Sequence, residues 1–145
     1  MYPMNRRAFL QQTALTAAGA ALLTGCQTPA PLPARRPTGK LRAVVIGHTG
    51  QGNYGHGMDA VMTSHPEVEL VAVADADAAG LAKTVAKLKA PRFYASYHEM
   101  LWKEQPDIVS IATRWTAEHH AMAMATIAAG AHFYSEKPFT TDLVE

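Results

Sequence analysis

Short apolar runs alternate with amphipathic segments from Lys40 to the end of the chain. The runs are rich in β-branched residues and end at glycine or polar positions, which indicates buried strands. Between the runs, apolar residues recur at helical spacing, as Leu81, Val85 and Leu88 do. Strands are predicted at 41–46, 68–74, 92–95, 107–112 and 131–135, and helices at 53–65, 78–89, 96–103 and 117–129.

This alternation predicts an α/β fold, in which a doubly wound parallel sheet lies between two layers of helices. Ligands of such sheets bind at the carboxyl ends of the strands, where the strand order reverses. Gly47, Asp75, Thr113 and Glu136 follow four of the predicted strands. We therefore expect the functional site to lie at that edge of the sheet.

A glycine-rich segment, residues 47–57, follows the first strand directly. Two registers of the G-x-G-x-x-G pattern fit it: one begins at Gly50, and the other begins at Gly47 with threonine at the middle position. We prefer the second register because its first glycine makes the turn immediately after the strand. Backbone amides of such a turn and of a following helix bind a pyrophosphate, although the same glycines are compatible with a flexible loop without a ligand. The expected cofactor contacts here are Gly47, Thr49, Gly50, Gly52, Asn53 and Tyr54.

Asp75 ends the second predicted strand. A carboxylate at this position accepts hydrogen bonds from a ribose diol and repels a 2′-phosphate, so it favours NAD over NADP. The alternative is a plain helix-capping role, which Asp77 already serves in the predicted structure.

Together these motifs resemble the N-terminal domain of the Gfo/Idh/MocA oxidoreductase family. The resemblance covers Lys40 to Glu145 and rests on residues 43–47 with the glycine-rich segment, on 71–75, on 107–113 and on Glu136-Lys137-Pro138. It implies a Rossmann NAD(P)-binding domain that is followed by an α/β substrate domain. It also implies hydride transfer with a sugar, a polyol or a related hydroxyl compound.

The resemblance also assigns roles at the ends of the last two strands. It implies that Lys137 is catalytic, near the nicotinamide and the substrate hydroxyl, from which it would take a proton. Thr113, Trp115 and Glu136 are further expected cofactor contacts, and the Lys137–Pro138 bond is often cis in the family. The alternative for Lys137 is a surface residue beside a turn proline.

One segment departs from the family pattern. The family commonly has Thr-Pro-Asn followed three residues later by histidine, whereas Arg114 and Trp115 replace the proline and asparagine here and His119 lies one residue further along. Trp115 would then pack on the cofactor instead. We predict no metal site, because adjacent residues such as His119 and His120 point about 100° apart on a helix.

Charge and composition exclude several functional classes. Residues 1–39 carry four of the 13 basic residues and none of the 12 acidic ones, which leaves residues 40–145 with a net charge of −3. Such a body lacks the concentrated basic face that nucleic-acid binding requires. A hydrophobic content of 48% excludes a disordered chain, and a single cysteine excludes an internal disulfide framework.

The N-terminal residues 1–26 are typical of a targeting leader. Residues 5–10 carry a twin-arginine signature, and the only cysteine, Cys26, ends a lipobox-like run that begins at Leu23. The alternatives are a short amphipathic helix and a chance cysteine. Residues 27–39 contain four prolines and are predicted to be an extended linker. We expect export by the twin-arginine route, to the periplasm or as a lipoprotein held at the membrane by its leader or lipid anchor.

The chain ends at Glu145, before the substrate domain that the resemblance implies. We therefore expect residues 40–145 to bind a dinucleotide but not to turn over substrate alone. Any homo-oligomer would form through the absent domain. Two alternatives remain open: an exported glycoside hydrolase that uses bound NAD, and a non-catalytic nucleotide-binding domain.

The lipobox interpretation predicts the outcome of one substitution. Cys26→Ala removes the only thiol that can be acylated, so we expect the exported protein to move from the membrane fraction to the soluble periplasm. Cell fractionation with an antibody measures this, and unchanged membrane association would contradict lipidation at Cys26.

Overall fold

The computed structural model describes residues 39–142 and residue 144. The predicted leader, with Cys26, and all of the predicted linker except Gly39 lie outside the described residues. Within the described part, no helix is both long enough and apolar enough to cross a membrane.

Five parallel strands form one sheet, with the order β3-β2-β1-β4-β5. The strands are β1 (Leu41–Ile46), β2 (Val68–Ala74), β3 (Phe93–Tyr94), β4 (Ile108–Ile111) and β5 (His132–Ser135). The strand order reverses at β1, so the crevice between β1 and β4 is the topological switch point. The predicted doubly wound parallel sheet is confirmed.

Three α-helices connect the strands: α1 (Ala78–Leu88), α2 (Tyr97–Glu104) and α3 (His119–Ala128). Asp77 caps α1 by accepting a hydrogen bond from the Gly80 amide at 2.6 Å, and Ser96 caps α2 in the same way. A short 3-10 helix, Thr116–Glu118, leads into α3. The predicted helix at 117–129 is therefore confirmed, with its first turn wound more tightly.

The predicted helix at 53–65 is wrong. Only Val61–Ser64 forms a helical turn there, of the 3-10 type. Asn53 and His56 have positive φ angles, as Gly52 and Gly57 do, and this backbone conformation interrupts a right-handed helix. Tyr54 instead forms an isolated antiparallel bridge with Thr113. The connection from β1 to β2 therefore runs without an α-helix, and no α-helix N-terminus follows the glycine-rich segment before β2.

Apolar side chains are buried on both faces of the sheet. Val44 and Ile46 face the cluster formed with α2 and α3, whereas Val45 and Val73 face the cluster formed with α1. Successive residues of a strand point to opposite faces, so β1 contributes to both clusters. This arrangement confirms the three-layer α/β fold.

A buried carboxylate joins β1, β3 and α2. Glu104 accepts hydrogen bonds from Arg42 at 2.9 Å, from Arg92 at 2.6 and 2.7 Å, and from the Tyr94 hydroxyl at 2.6 Å. Burial alone would raise the pKa of Glu104, but the hydrogen bonds and positive charges of the arginines outweigh it and lower the pKa below its ordinary value of 4.5. The ionised form of Glu104 therefore stabilises the folded chain.

This cluster predicts how stability depends on pH. Because the pKa of Glu104 is lower in the folded than in the unfolded chain, its contribution is present above pH 4.5 and is lost as the pH falls through the folded value. We expect Glu104→Gln to lower the free energy of unfolding by about 1–3 kcal/mol at pH 7. The substitution should also flatten the fall in stability below pH 4.5, as measured by urea unfolding between neutral and acidic pH.

Glu99→Gln on the same helix is the matched control. Glu99 pairs with Lys103 on the exposed surface, where solvent screens the two charges, so we expect a much smaller loss of stability than for Glu104→Gln. An equal loss of stability in the two variants would contradict the role of Glu104.

Candidate functional site

The four residues that the sequence places after strands lie together at the carboxyl edge of the sheet. Gly47, Asp75 and Glu136 directly follow β1, β2 and β5, and Thr113 follows β4 by two residues. Lys137 comes next after Glu136; its side chain is exposed, and the Lys137–Pro138 bond is cis, as the resemblance implies.

The glycine-rich segment, residues 47–57, crosses the switch point from β1 to the exit of β4. The Gly55 amide donates to the Ala112 carbonyl at 2.8 Å, and the Arg114 amide donates to the Asn53 carbonyl at 3.0 Å. The Arg114 side chain also donates to the Gly52 carbonyl at 2.7 Å. The segment is therefore held beside the β4 exit along several residues.

Two glycines allow this close approach. A Cβ on Gly47 would overlap the Tyr54 ring, which lies directly against the Gly47 backbone. A Cβ on Gly55 would come within 2.6 Å of the Glu136 carboxyl carbon. Glycine is therefore required at both positions for contacts within the chain itself.

Asp75 is 1% exposed, and its carboxylate accepts five hydrogen bonds from the protein. The Thr49 amide donates to both oxygens, at 3.0 and 3.1 Å, and the Asp77 amide donates to Oδ1 at 2.9 Å. Two hydroxyl groups donate to Oδ2, from Thr49 at 2.7 Å and from Tyr54 at 2.9 Å. The chain thus supplies donors to both oxygens of this carboxylate.

The phenol of Tyr54 remains a hydrogen-bond donor well above neutral pH. Burial raises the pKa of Tyr54 above its ordinary value of 10; a hydrogen bond with Thr84 lowers it, and the negative charge of Asp75 raises it further. The Tyr54–Asp75 hydrogen bond is therefore present at physiological pH.

Backbone amides of the glycine-rich segment are also bonded within the protein. Those that donate to protein acceptors belong to Gly47, Thr49, Gly50, Gln51, Asn53 and Gly55. A phosphate group bound by any of these six amides would replace the present partner of that amide.

A cleft of about 200 Å³ lies beside Gly47 and Asp75, and extends to the start of α2 and of α3. Its volume is below the roughly 300–1,000 Å³ that is typical of small-molecule pockets. His48 and Glu118 line it and contact each other, with 2.7 Å between Nδ1 and Oε2. This contact joins the glycine-rich segment to the 3-10 helix before α3.

Two histidines hold the segments around Lys137. The His56 ring contacts the buried Glu136 carboxylate, with 2.5 Å between Nδ1 and Oε1. The ring of His119 is fully buried, and its two nitrogens lie 2.7 and 2.8 Å from the carbonyl oxygens of Thr113 and Pro138. His119 therefore connects the β4 exit to the turn that carries Lys137.

The predicted site residues differ in burial. Gly47, Asp75, Thr113 and Glu136 are buried at the carboxyl edge of the sheet. Thr49, Gly52 and Tyr54 are half-buried, and Gly50, Asn53, Trp115 and Lys137 are exposed. Sequence reasoning missed the contacts of His48, His56 and Glu118. Only His119 had a sequence signal, because the family pattern places a histidine near it. Among the described residues there is no group of three or more side chains that could hold a metal ion.

Comparison with known proteins agrees with this fold. Residues 41–145 match the model of the Gfo/Idh/MocA family, described as an oxidoreductase family with an NAD-binding Rossmann fold. A curated relative, glycosyl hydrolase family 109 protein 2 of Shewanella sp. (strain ANA-3), is 27% identical over an alignment that covers all of this chain and 36% of the relative.

Solved structures give the same fold. Myo-inositol 2-dehydrogenase from Lactobacillus plantarum is 27% identical, with a TM-score of 0.62 over 72% of this chain and 30% of that protein. GenD2 from gentamicin A biosynthesis, solved in complex with NAD, is 29% identical, with a TM-score of 0.60 over 72% of this chain and 29% of that protein. The chain thus spans about a third of the length of these relatives, and it belongs to the Gfo/Idh/MocA oxidoreductase family, whose NAD-binding Rossmann domain it carries.

Proposed function

We propose that residues 40–145 are the nucleotide-binding part of an exported enzyme that oxidises or reduces a sugar, a polyol or a related hydroxyl compound with NAD. The observation that carries this proposal is the convergence of Gly47, Asp75, Thr113 and Glu136 at one sheet edge, with Lys137 beside them. Export is proposed from the twin-arginine signature alone. The substrate contacts belong to a second domain, which the longer relatives have room for.

The residues at this edge fit a dinucleotide in part. The glycine-rich segment lies at the switch point, where a diphosphate would bind, but the Tyr54 ring covers the Gly47 backbone there. Asp75 lies at the end of β2, where a ribose diol would be recognised, but its carboxylate is already occupied by hydroxyl groups of the chain. Binding at this carboxylate therefore requires an exchange of hydrogen bonds.

The proposed role of Lys137 is to hold or accept a proton. NAD, when bound, supplies a hydride acceptor for the substrate carbon. Lys137 is exposed next to buried Glu136, so its amine can approach a hydroxyl group bound at this edge. His119 and Glu136 fix the backbone on both sides of it through their contacts with Pro138 and His56.

A second function is favoured by one observation, the match to glycosyl hydrolase family 109 proteins. In such an enzyme, bound NAD would take a hydride from the sugar and would return it to the sugar after the glycosidic bond breaks. Its products would include no net NADH.

The proposed cofactor predicts a direct binding result. We expect the folded 145-residue chain to give a saturable heat of binding with NAD and a weaker one with NADP, because the Asp75 carboxylate repels a 2′-phosphate. Isothermal titration calorimetry measures both. A folded sample with no saturable response to either dinucleotide would contradict the proposed function.

Asp75→Asn is the variant for this titration. The substitution keeps the side-chain size but removes the charge, so NAD affinity should fall more than NADP affinity. Asp75 also holds the glycine-rich segment in place, and weakening those hydrogen bonds should change the affinities for NAD and NADP equally. The ratio of the two affinities therefore reports the ribose contact alone. An unchanged ratio would refute discrimination by Asp75.

Net formation of NADH separates the two candidate activities. In a protein that carries this chain together with a substrate domain, we expect NADH to accumulate in step with oxidation of a free sugar or polyol. Release of nitrophenol from a nitrophenyl glycoside with NAD present and no net NADH would instead establish the hydrolase.

A further inference from the structure

Two hydroxyl groups of the chain donate hydrogen bonds to the Asp75 carboxylate, which would bind ribose in the proposed function. Thr49 Oγ1 and Tyr54 OH both donate to Asp75 Oδ2, at 2.7 and 2.9 Å. A ribose would offer the same chemistry, two neighbouring hydroxyl groups donated to one carboxylate. In this structure the side chains of Thr49 and Tyr54 therefore supply Asp75 with the two hydroxyl donors that a nucleotide ribose would supply.

We propose that Tyr54 is an internal occupant of the dinucleotide site, which must leave Asp75 when NAD binds. The inference rests on the proposed function, and it reverses the expectation that Tyr54 contacts the cofactor favourably. The Tyr54 ring lies on the Gly47 backbone, the position at which the glycine motif would otherwise admit a diphosphate. The ring and the hydroxyl group thus cover two parts of the site at once.

Backbone contacts also hold the glycine-rich segment against the β4 exit. Tyr54 pairs with Thr113 across the switch point, and the flanking Asn53 and Gly55 exchange backbone hydrogen bonds with the β4 exit. Displacement of Tyr54 would move Asn53 and Gly55 with it, so these backbone hydrogen bonds would break together. The proposal therefore requires the segment to open as one element, against these internal hydrogen bonds.

Closure of the glycine-rich segment lowers the apparent affinity of the chain for NAD. When only a fraction of the molecules is open, the apparent Kd equals the intrinsic Kd divided by that fraction. A hydrogen bond from a hydroxyl group to a buried carboxylate stabilises the closed state by an amount that corresponds to roughly a tenfold shift in population. Removal of the Tyr54 hydroxyl should raise the open fraction by about that factor.

Tyr54→Phe tests the proposal with two readouts. The first needs no ligand: the Gly55 and Arg114 amides donate the two backbone hydrogen bonds that join the segment to the β4 exit. Their hydrogen–deuterium exchange should become about tenfold faster, while exchange in the strands stays the same. The second is calorimetry, in which the Kd for NAD should fall by about tenfold. A weaker or unchanged NAD affinity in a folded Tyr54→Phe protein would overturn the proposal, and so would unchanged exchange.

Tyr94→Phe is the matched control, because it also removes a phenol–carboxylate hydrogen bond but at Glu104 rather than Asp75. It should leave exchange in the glycine-rich segment unchanged. Thr49→Val provides an independent variant: it removes the second hydroxyl donor and should act in the same direction, whereas Thr49→Ser should restore the original exchange rate. Faster exchange in Tyr94→Phe equal to that in Tyr54→Phe would overturn a specific role for Tyr54.

The two hypotheses fail in different ways. In one outcome, neither the original chain nor any variant binds NAD, but exchange accelerates in Tyr54→Phe alone. Tyr54 then holds the segment closed, but the proposed function fails, and so does the proposal that Tyr54 occupies a dinucleotide site. If NAD binds equally to the original chain and to Tyr54→Phe, the proposed function stands and the internal-occupant proposal is overturned.

Discussion

The carboxylate of Asp75 organises the carboxyl edge of this sheet. It is almost completely buried, and a buried charge is tolerated only when hydrogen bonds replace its hydration. The donors come from the glycine-rich segment and from the start of α1, so one side chain at the end of β2 fixes the loops on either side of it. The positions of Thr49, Tyr54 and the cleft beside them all depend on that requirement.

The glycines of this segment serve contacts within the chain. Glycines at such a turn are usually associated with the approach of a phosphate, but Gly47 and Gly55 here also admit the Tyr54 ring and the Glu136 carboxylate. Thr49, at the middle position of the pattern, supplies a hydroxyl donor that glycine would lack. In the proposed function, a bound dinucleotide would compete with these contacts for the same donors and acceptors.

Most of the fold could be predicted from the sequence, because the five strands and the helices after β2, β3 and β4 show clear apolar periodicity and capping residues such as Asp77 and Ser96. The predicted helix at 53–65 failed because its backbone is decided by long-range contacts, such as the pairing of Tyr54 with Thr113, that no local pattern displays. The edge residues could be predicted from strand ends alone. Their partners could not, since the contacts of Asp75 with Tyr54 and of Glu136 with His56 join residues 21 and 80 positions apart.

A crystal structure of the chain with NAD bound would test most directly whether Asp75 exchanges internal hydroxyl groups for those of a nucleotide. We expect the ribose hydroxyls next to adenine to lie within hydrogen-bond distance of Asp75 Oδ2, with the Tyr54 hydroxyl displaced from it. An NAD complex in which Tyr54 and Thr49 still donate to Asp75, and the ribose lies elsewhere, would contradict this central role of the carboxylate.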